Sequence, residues 1–296
     1  MLRLRCLWLV CLISLCSSAN ADKIGARLAI IIDDIGYNQS QSERAARLDG
    51  AFTLSILPFT PHGLSSAKLA HNHGKELMLH LPMSTLNNLP LGKGGLTSGM
   101  EKSAFLSTFQ QDIGNIPNIR GVNNHMGSRL TQEAEPMQWL MEALHPRGLY
   151  FVDSRTSAKT KAFDIANEYR VPSLKRDVFL DDVNERGAIE IQLNRAIQFA
   201  KLRGTAVAIG HPYPATLGVL ERIEVVLKQE NVTLVHASQL LGKFVNLPEL
   251  AEQTELEIVN EPASCPVPIV KDLFNWRTDV EKSDKHRMIF DLGFGY

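Results

Sequence analysis

Between Leu28 and Asn38 the chain reads LAIIIDDIGYN, five apolar residues running directly into two adjacent aspartates and then a glycine. A continuous apolar run leaves no polar face for water, so it fits a strand covered on both sides, as in a parallel α/β sheet or barrel. Asp33 and Asp34 then stand at the carboxyl end of that strand, where parallel folds collect their chemistry.

The same unit recurs along the chain. Strands are predicted at Phe52 to Leu57, at Glu76 to Leu79, ending near Asn123, at Leu149 to Val152, Val178 to Leu180, Thr205 to Ile209 and Val232 to Val235. Helical stretches fall between them: His62 to His73, Glu101 to Ile113, a helix carrying Met137, Leu140, Met141 and Leu144, then Ala158 to Tyr169, Ala188 to Leu202 and Leu217 to Leu227. The i, i+3, i+4, i+7 spacing of the Met137 helix marks one apolar face, and Pro146 and Gly148 end it. This is βα repeated about eight times with short connections, apart from the Gly-rich segment at 90–99, and it predicts an α/β fold, a distorted (β/α) barrel of seven or eight strands.

Seven places on that pattern end alike. Asp33 with Asp34, His80, His125, Asp153, Asp181, His211 and His236 each follow a predicted strand, and so are placed on one rim; Asp181 and Asp182 are either a second carboxylate pair or simply the start of a turn. A single Asp or His there is an ordinary cap or turn residue. Coincidence across most of the strands points instead to a site, because that rim carries the active site in barrels. Two histidines and a carboxylate form a common ligand set for Zn²⁺ or a similar ion. Asp34, His80 and His125 supply one; such an ion activates water and polarises a carbonyl under attack. Asp33, expected to diverge from Asp34 as neighbours on a strand do, is the candidate base, and His211 the candidate acid. Asp153 and Ser154 could orient the base or bind substrate, or simply form an Asx turn, and Asn124 and Ser128 could support His125 or only bond their own loop. His62, His71, His73 and His145 read as surface residues of helices, and His236 is a weaker candidate that a cap on the helix after it would also explain.

The 44% hydrophobic and 21% charged composition is that of a globular protein, and a formal net charge of -1 gives no footprint for nucleic acid. Residues 1–21 carry Arg3 and Arg5, an apolar run from Cys6 to Cys16, and Ala19-Asn20-Ala21 in small-x-small form. They read as a secretory signal peptide, which would direct a domain at 22–245 to the periplasm or outside the cell with no membrane span. Cleavage would remove Cys6, Cys11 and Cys16 and leave Cys265 as the remaining cysteine, excluding an internal disulfide framework. The stretch 246–296, with Pro248, Pro262, Pro266 and Pro268 and no sustained period, reads as an extended or partly disordered C-terminal extension.

The stretches IIDDIG (31–36), LHLPM (79–83), NNHMGS (123–128), FVDSRTSA (151–158) and AIGHP (208–212) together resemble the divergent polysaccharide deacetylase family, a branch of the NodB-like carbohydrate esterases. The resemblance spans about Ile30 to Lys243. It implies a distorted (β/α) barrel that binds Zn²⁺ or another divalent ion and removes an N- or O-acetyl group from a sugar. It also implies Asp33 as base, Asp34 as ligand and His211 as general acid. Two departures stand out. The usual pair of histidines four residues apart is missing, since Ser84 stands four after His80, which turns attention to His125. The motif that offers an arginine to the base is also missing; Arg155, Arg129 and Arg176 are the substitutes to consider. The expected function is an exported metal-dependent deacetylase acting on a cell-envelope glycan. Its competitors are a non-catalytic glycan- or envelope-binding barrel and, against the lack of a basic cluster for phosphate, a metallophosphoesterase.

Overall fold

The computed structural model describes residues 25–242. The predicted signal peptide (1–21) and C-terminal extension (246–296), with Cys265, lie outside the described residues. No helix among them is long and apolar enough to cross a membrane.

Strand β1 (Ala26–Ile35) is the axis of the sheet. Leu28 to Ile32 are all fully buried, which is why this run could not be an edge strand. On one side β1 pairs with β8 (Thr205–Gly210), and on the other with β2 (Thr53–Ile56) and β9 (Val232–Val235). Because residues 27–29 pair with both β8 and β9, the ninth strand lies on the β2 side, below it. With β3 (Glu76–Met83), β4 (Ile119–Met126), β5 (Tyr150–Asp153), β6 (Ser173–Lys175) and β7 (Val178–Phe179) the order is β6-β5-β4-β3-β2-β1-β8-β7, and every pairing is parallel. The expected distorted (β/α) barrel is therefore what forms, with eight strands on the path and β9 beside it. Its edges β6 and β7 are joined through Arg176 and Asp177, and no ladder between them is seen among the described residues.

The helices are α1 (Gln39–Ala46), α2 (Gly63–Asn72), α3 (Lys102–Asn115), α4 (Ala134–Leu144), α5 (Ala162–Glu168), α6 (Arg186–Arg203), α7 (Pro214–Leu220) and α8 (Ile223–Glu230). Successive strand residues face opposite ways, and two apolar clusters record the division. Leu28, Ile30, Ile32, Leu54, Ile56, Leu79, Val122, Phe151 and Ala208 pack with buried helix residues such as Phe105, Met137 and Ile189. Ala29, Ile31, Met78, Val152, Val207 and Ile209 form the second cluster, inside the curl of the sheet. Each fully buried Leu or Ile contributes about 1.5–3 kcal/mol over the exposed side chain.

Four differences from the sequence reading have physical causes. Helix α1 carries no apolar stripe, burying only Ser42, Ala45 and Ala46, and starts at Asn38, whose side chain accepts from the Gln41 amide. Strands β3 and β4 continue together to the Met83–Met126 pair, so His80 and His125 lie within strands and not after them. Helix α5 begins at Ala162, and not Ala158, because the preceding residues fold back on Asp153, which accepts from the Arg155 amide and the Thr160 hydroxyl. The stretch 217–227 breaks at Glu221–Arg222 into α7 and α8.

Candidate functional site

Strand parity sets which side chains enter the mouth of the barrel. Ile31 and Met78 belong to the inner cluster and Val122 to the outer one, so Asp33, His80, Asn123 and His125 fall on the inner face. Asp34 should face outward. It does not, because β1 bulges: Ile32 aligns with Leu54 but Ile35 with Ile56, so Asp33 and Asp34 together oppose Ser55. Asp34 takes a left-handed conformation with φ 58° to accommodate the extra residue. The expected divergence of the two carboxylates is therefore replaced by convergence, with Asp34 Oδ1 3.1 Å and Asp33 Oδ2 3.7 Å from the same atom, His80 Nε2.

Three candidate ligand atoms meet in a triangle. Asp34 Oδ1 is 3.1 Å from His80 Nε2 and 3.0 Å from His125 Nδ1, and the two ring nitrogens are 3.0 Å apart. A tetrahedral ion with bonds of about 2.05 Å would hold its donors about 3.3 Å apart, so the triangle needs to open only slightly to fit one. Asp34 Oδ1 is buried, and the polar atoms against it are the two ring nitrogens that complete the triangle. Among the described residues Asp34, His80 and His125 form the group of His, Cys and acidic side chains able to hold a metal, and one carboxylate with two imidazoles suits Zn²⁺ or a similar ion.

Electrostatics around the triangle are mutually dependent. Burial tends to raise the Asp34 pKa, but His125, His80 and His211 outweigh it and hold the carboxyl well below its usual range. For Asp33 burial wins and its pKa is raised, although His80 and His211 pull it down. Burial would lower the His80 pKa, but Asp33 and Asp34 raise it above the ordinary value.

His211 approaches from the other side of β1, at the end of β8, with Nε2 3.8 Å from Asp34 Oδ2. Its Nδ1 is 2.9 Å from Asp181 Oδ1, while Asp181 Oδ2 accepts from the His211 amide and the Thr216 hydroxyl. Burial opposes charge on this ring, yet the hydrogen bond to Asp181 and the nearby Asp34 push its pKa up to about 10. Phe179 stacks on the His211 ring at 6.3 Å and Tyr213 tilts against it at 5.4 Å. Asp182, by contrast, is exposed and bonds the Val183 amide.

The remaining candidates go to local structure. Asn124 clamps the Ser154 amide and the Met126 carbonyl, and Ser128 accepts from the Leu86 amide. Asp153 forms the Asx turn with Arg155, while the Ser154 hydroxyl is buried without a hydrogen-bond partner among the described residues. Arg155 is exposed. Arg129 bonds the carbonyls of Thr85 and Leu86, and Arg176 those of Ser154 and Arg155 while covering Phe179. His236 caps the 3₁₀ turn 237–240. The Ala29–Val235 pairing sets it level with Ile30, about 10 Å below Asp33 along the strand, so it does not share the rim. The sequence reading missed Asn123, which bonds Ser55, His80 and Asp33. Its two-residue spacing from His125 on one strand was the available signal.

A family model for divergent polysaccharide deacetylases matches residues 30–241. The Escherichia coli (strain K12) protein YibQ, itself uncharacterized, is 40% identical over 220 residues, covering 74% of this chain and 69% of its own. An uncharacterized Haemophilus influenzae protein is 36% identical over 196 residues, covering 66% of this chain and 70% of that one. In three dimensions the crystal structure of ATU2773 from Agrobacterium tumefaciens C58 superposes with a TM-score of 0.71 at 23% identity, covering 73% of this chain and 89% of that one; at that identity the likeness speaks for the fold. With the match running from β1 to the turn after β9, the chain belongs to the divergent polysaccharide deacetylase family.

Proposed function

We propose that this protein is an exported, divalent-metal-dependent deacetylase that removes acetyl groups from a cell-envelope glycan or a fragment of one. The observation that carries this reading is the triangle of Asp34 Oδ1, His80 Nε2 and His125 Nδ1, with edges of 3.0–3.1 Å, flanked by Asp33 and His211. Those three atoms would hold the ion, Zn²⁺ being the best match to the donor set. When bound, the ion supplies Lewis acidity at the acyl oxygen and lowers the pKa of water. Asp33, buried and next to the triangle, takes the proton of the attacking water. His211 gives a proton to the departing amine or alcohol from Nε2, the ring atom nearer Asp34, while Asp181 holds the opposite nitrogen. The leader-like segment at 1–21 supports export to the periplasm or beyond, and the barrel domain is assigned to 22–245.

Metal content and acetate release test the reading together. Purified protein is expected to bind one Zn²⁺ per chain, lost in His80→Ala and His125→Ala. It should release acetate from acetylated chito-oligosaccharides or peptidoglycan fragments, and Asp33→Asn should not. Stoichiometric metal without Asp33-dependent acetate would replace the enzyme by a glycan-binding barrel. No metal at all would remove the site as drawn.

A further inference from the structure

One buried side chain touches both the ligand set and the base. Asn123 on β4 is fully buried. Its Oδ1 accepts from Ser55 Oγ at 2.6 Å and from His80 Nδ1 at 2.7 Å, and its Nδ2 donates to Asp33 Oδ1 at 2.8 Å. An ionised carboxylate only accepts, so the amide nitrogen must face Asp33 and the oxygen must face His80. An amide oxygen also only accepts, so His80 must carry a proton on Nδ1. The lone pair of the neutral ring is then on Nε2, the atom that meets Asp34 Oδ1 and His125 Nδ1.

We propose that Asn123 is a positioning residue with two separable actions: its oxygen commits His80 Nε2 to the cation, and its nitrogen aims Asp33. The inference rests on the metal-dependent reading above. It follows from chemistry at one position, because a carboxamide carries an acceptor and a donor on one carbon, aimed here at two different partners. Aspartate is the informative replacement. It preserves the shape and both bonds accepted by Oδ1, but sets an oxygen where Asn123 Nδ2 lies 2.8 Å from Asp33 Oδ1. Alanine removes both actions.

The test compares wild type, Asn123→Asp and Asn123→Ala by Zn²⁺ titration, by acetate release from acetylated chito-oligosaccharides, and by NMR of ¹⁵N-histidine-labelled protein. Asn123→Asp is expected to keep its Zn²⁺ affinity within about threefold of wild type, since a carboxylate behind a ligating histidine is a common arrangement. Its kcat should fall at least about 100-fold with KM little changed. Asn123→Ala should lose about 10- to 100-fold in Zn²⁺ affinity as well as turnover. A downfield, slowly exchanging His80 Nδ1–H signal should be present in wild type and Asn123→Asp and absent in Asn123→Ala. If Asn123→Asp does not fold, Ser55→Ala stands in: it removes the 2.6 Å bond that steadies the amide and should weaken affinity and turnover by several-fold each. Loss of Zn²⁺ affinity in Asn123→Asp as large as that in Asn123→Ala, persistence of the N–H signal in Asn123→Ala, or an unaltered Ser55→Ala would overturn the proposal. Wild type that binds no Zn²⁺ overturns the reading beneath it, and the proposal with it.

Discussion

Replacing Asp112 by asparagine is expected to flatten the dependence of stability on pH. Asp112 lies on α3, is fully buried, and among the described residues neither carboxylate oxygen has a hydrogen-bond partner. Gly94, with φ 85°, presses its backbone against the carboxylate so closely that a Cβ there would overlap it. Burial alone pushes the pKa from 3.8 up to about 8. A carboxyl group with a raised pKa keeps its proton in the folded state when the unfolded chain has already released it, so stability falls as pH rises from about 4 to 8 and is level above that. One proton corresponds to about 1.4 kcal/mol per pH unit, so wild type should lose about 3 kcal/mol between pH 5 and pH 7 that the asparagine variant keeps. For a domain of this size that difference is roughly 6–12 °C in Tm. Urea unfolding at pH 5, 6 and 7 can be followed by the fluorescence of Trp139 on α4, which packs edge-on at 5.6 Å against Phe105 of α3, the helix that carries Asp112. If wild type and Asp112→Asn are separated by one constant free energy across these pH values, the carboxyl is not protonated in the fold and the argument fails.

Three further outcomes follow from the site and its supports. Free Zn²⁺ at 100 times its Kd should stabilise wild type by about 2.7 kcal/mol in thermal melts, and His80→Ala and His125→Ala should show no such increment. In metal-free protein, Asp181→Asn should bring the His211 titration down from about 10 toward the ordinary value near 6.5, seen in the ring-proton shifts; acetate release by the metal-loaded variant should fall by about 10²- to 10⁴-fold. Gly36 has φ 130°, and a Cβ there would fall against Thr60 Oγ1, so Gly36→Ala should cost about 1–3 kcal/mol in chemical denaturation and disturb the aspartates just before it.

Much of the architecture could be read from β1 outward, because a run as apolar as Leu28 to Ile32 has few places to go. What escaped the reading was held by tertiary contacts. Strand β6 is three residues with no apolar run, and α1 is polar and small-residue throughout, so neither carries a period to detect. The candidate residues Asp33, Asp34, His80, His125 and His211 stood out as charged or titratable groups beside strands. Their arrangement did not, because the bulge that turns Asp34 inward depends on pairing with β2 and leaves no trace in composition. Asp181 and Asn123 show the same limit: each is an ordinary polar residue until its partner on another element is known, His211 after β8 for one and His80 with Asp33 for the other.

The bulged strand β1 is also a seam. His80 and His125 stand on β3 and β4 to one side of it, Asp181 and His211 beyond β7 and β8 to the other, and the described edges β6 and β7 share no ladder. Under the proposed function, cation capture and proton donation would be lodged in two arms that meet at the aspartate pair. On that reading a single substitution at His211 or Asp181 would remove the donating arm and leave the Asp34, His80 and His125 triangle intact, so binding and turnover would be separable by one mutational step.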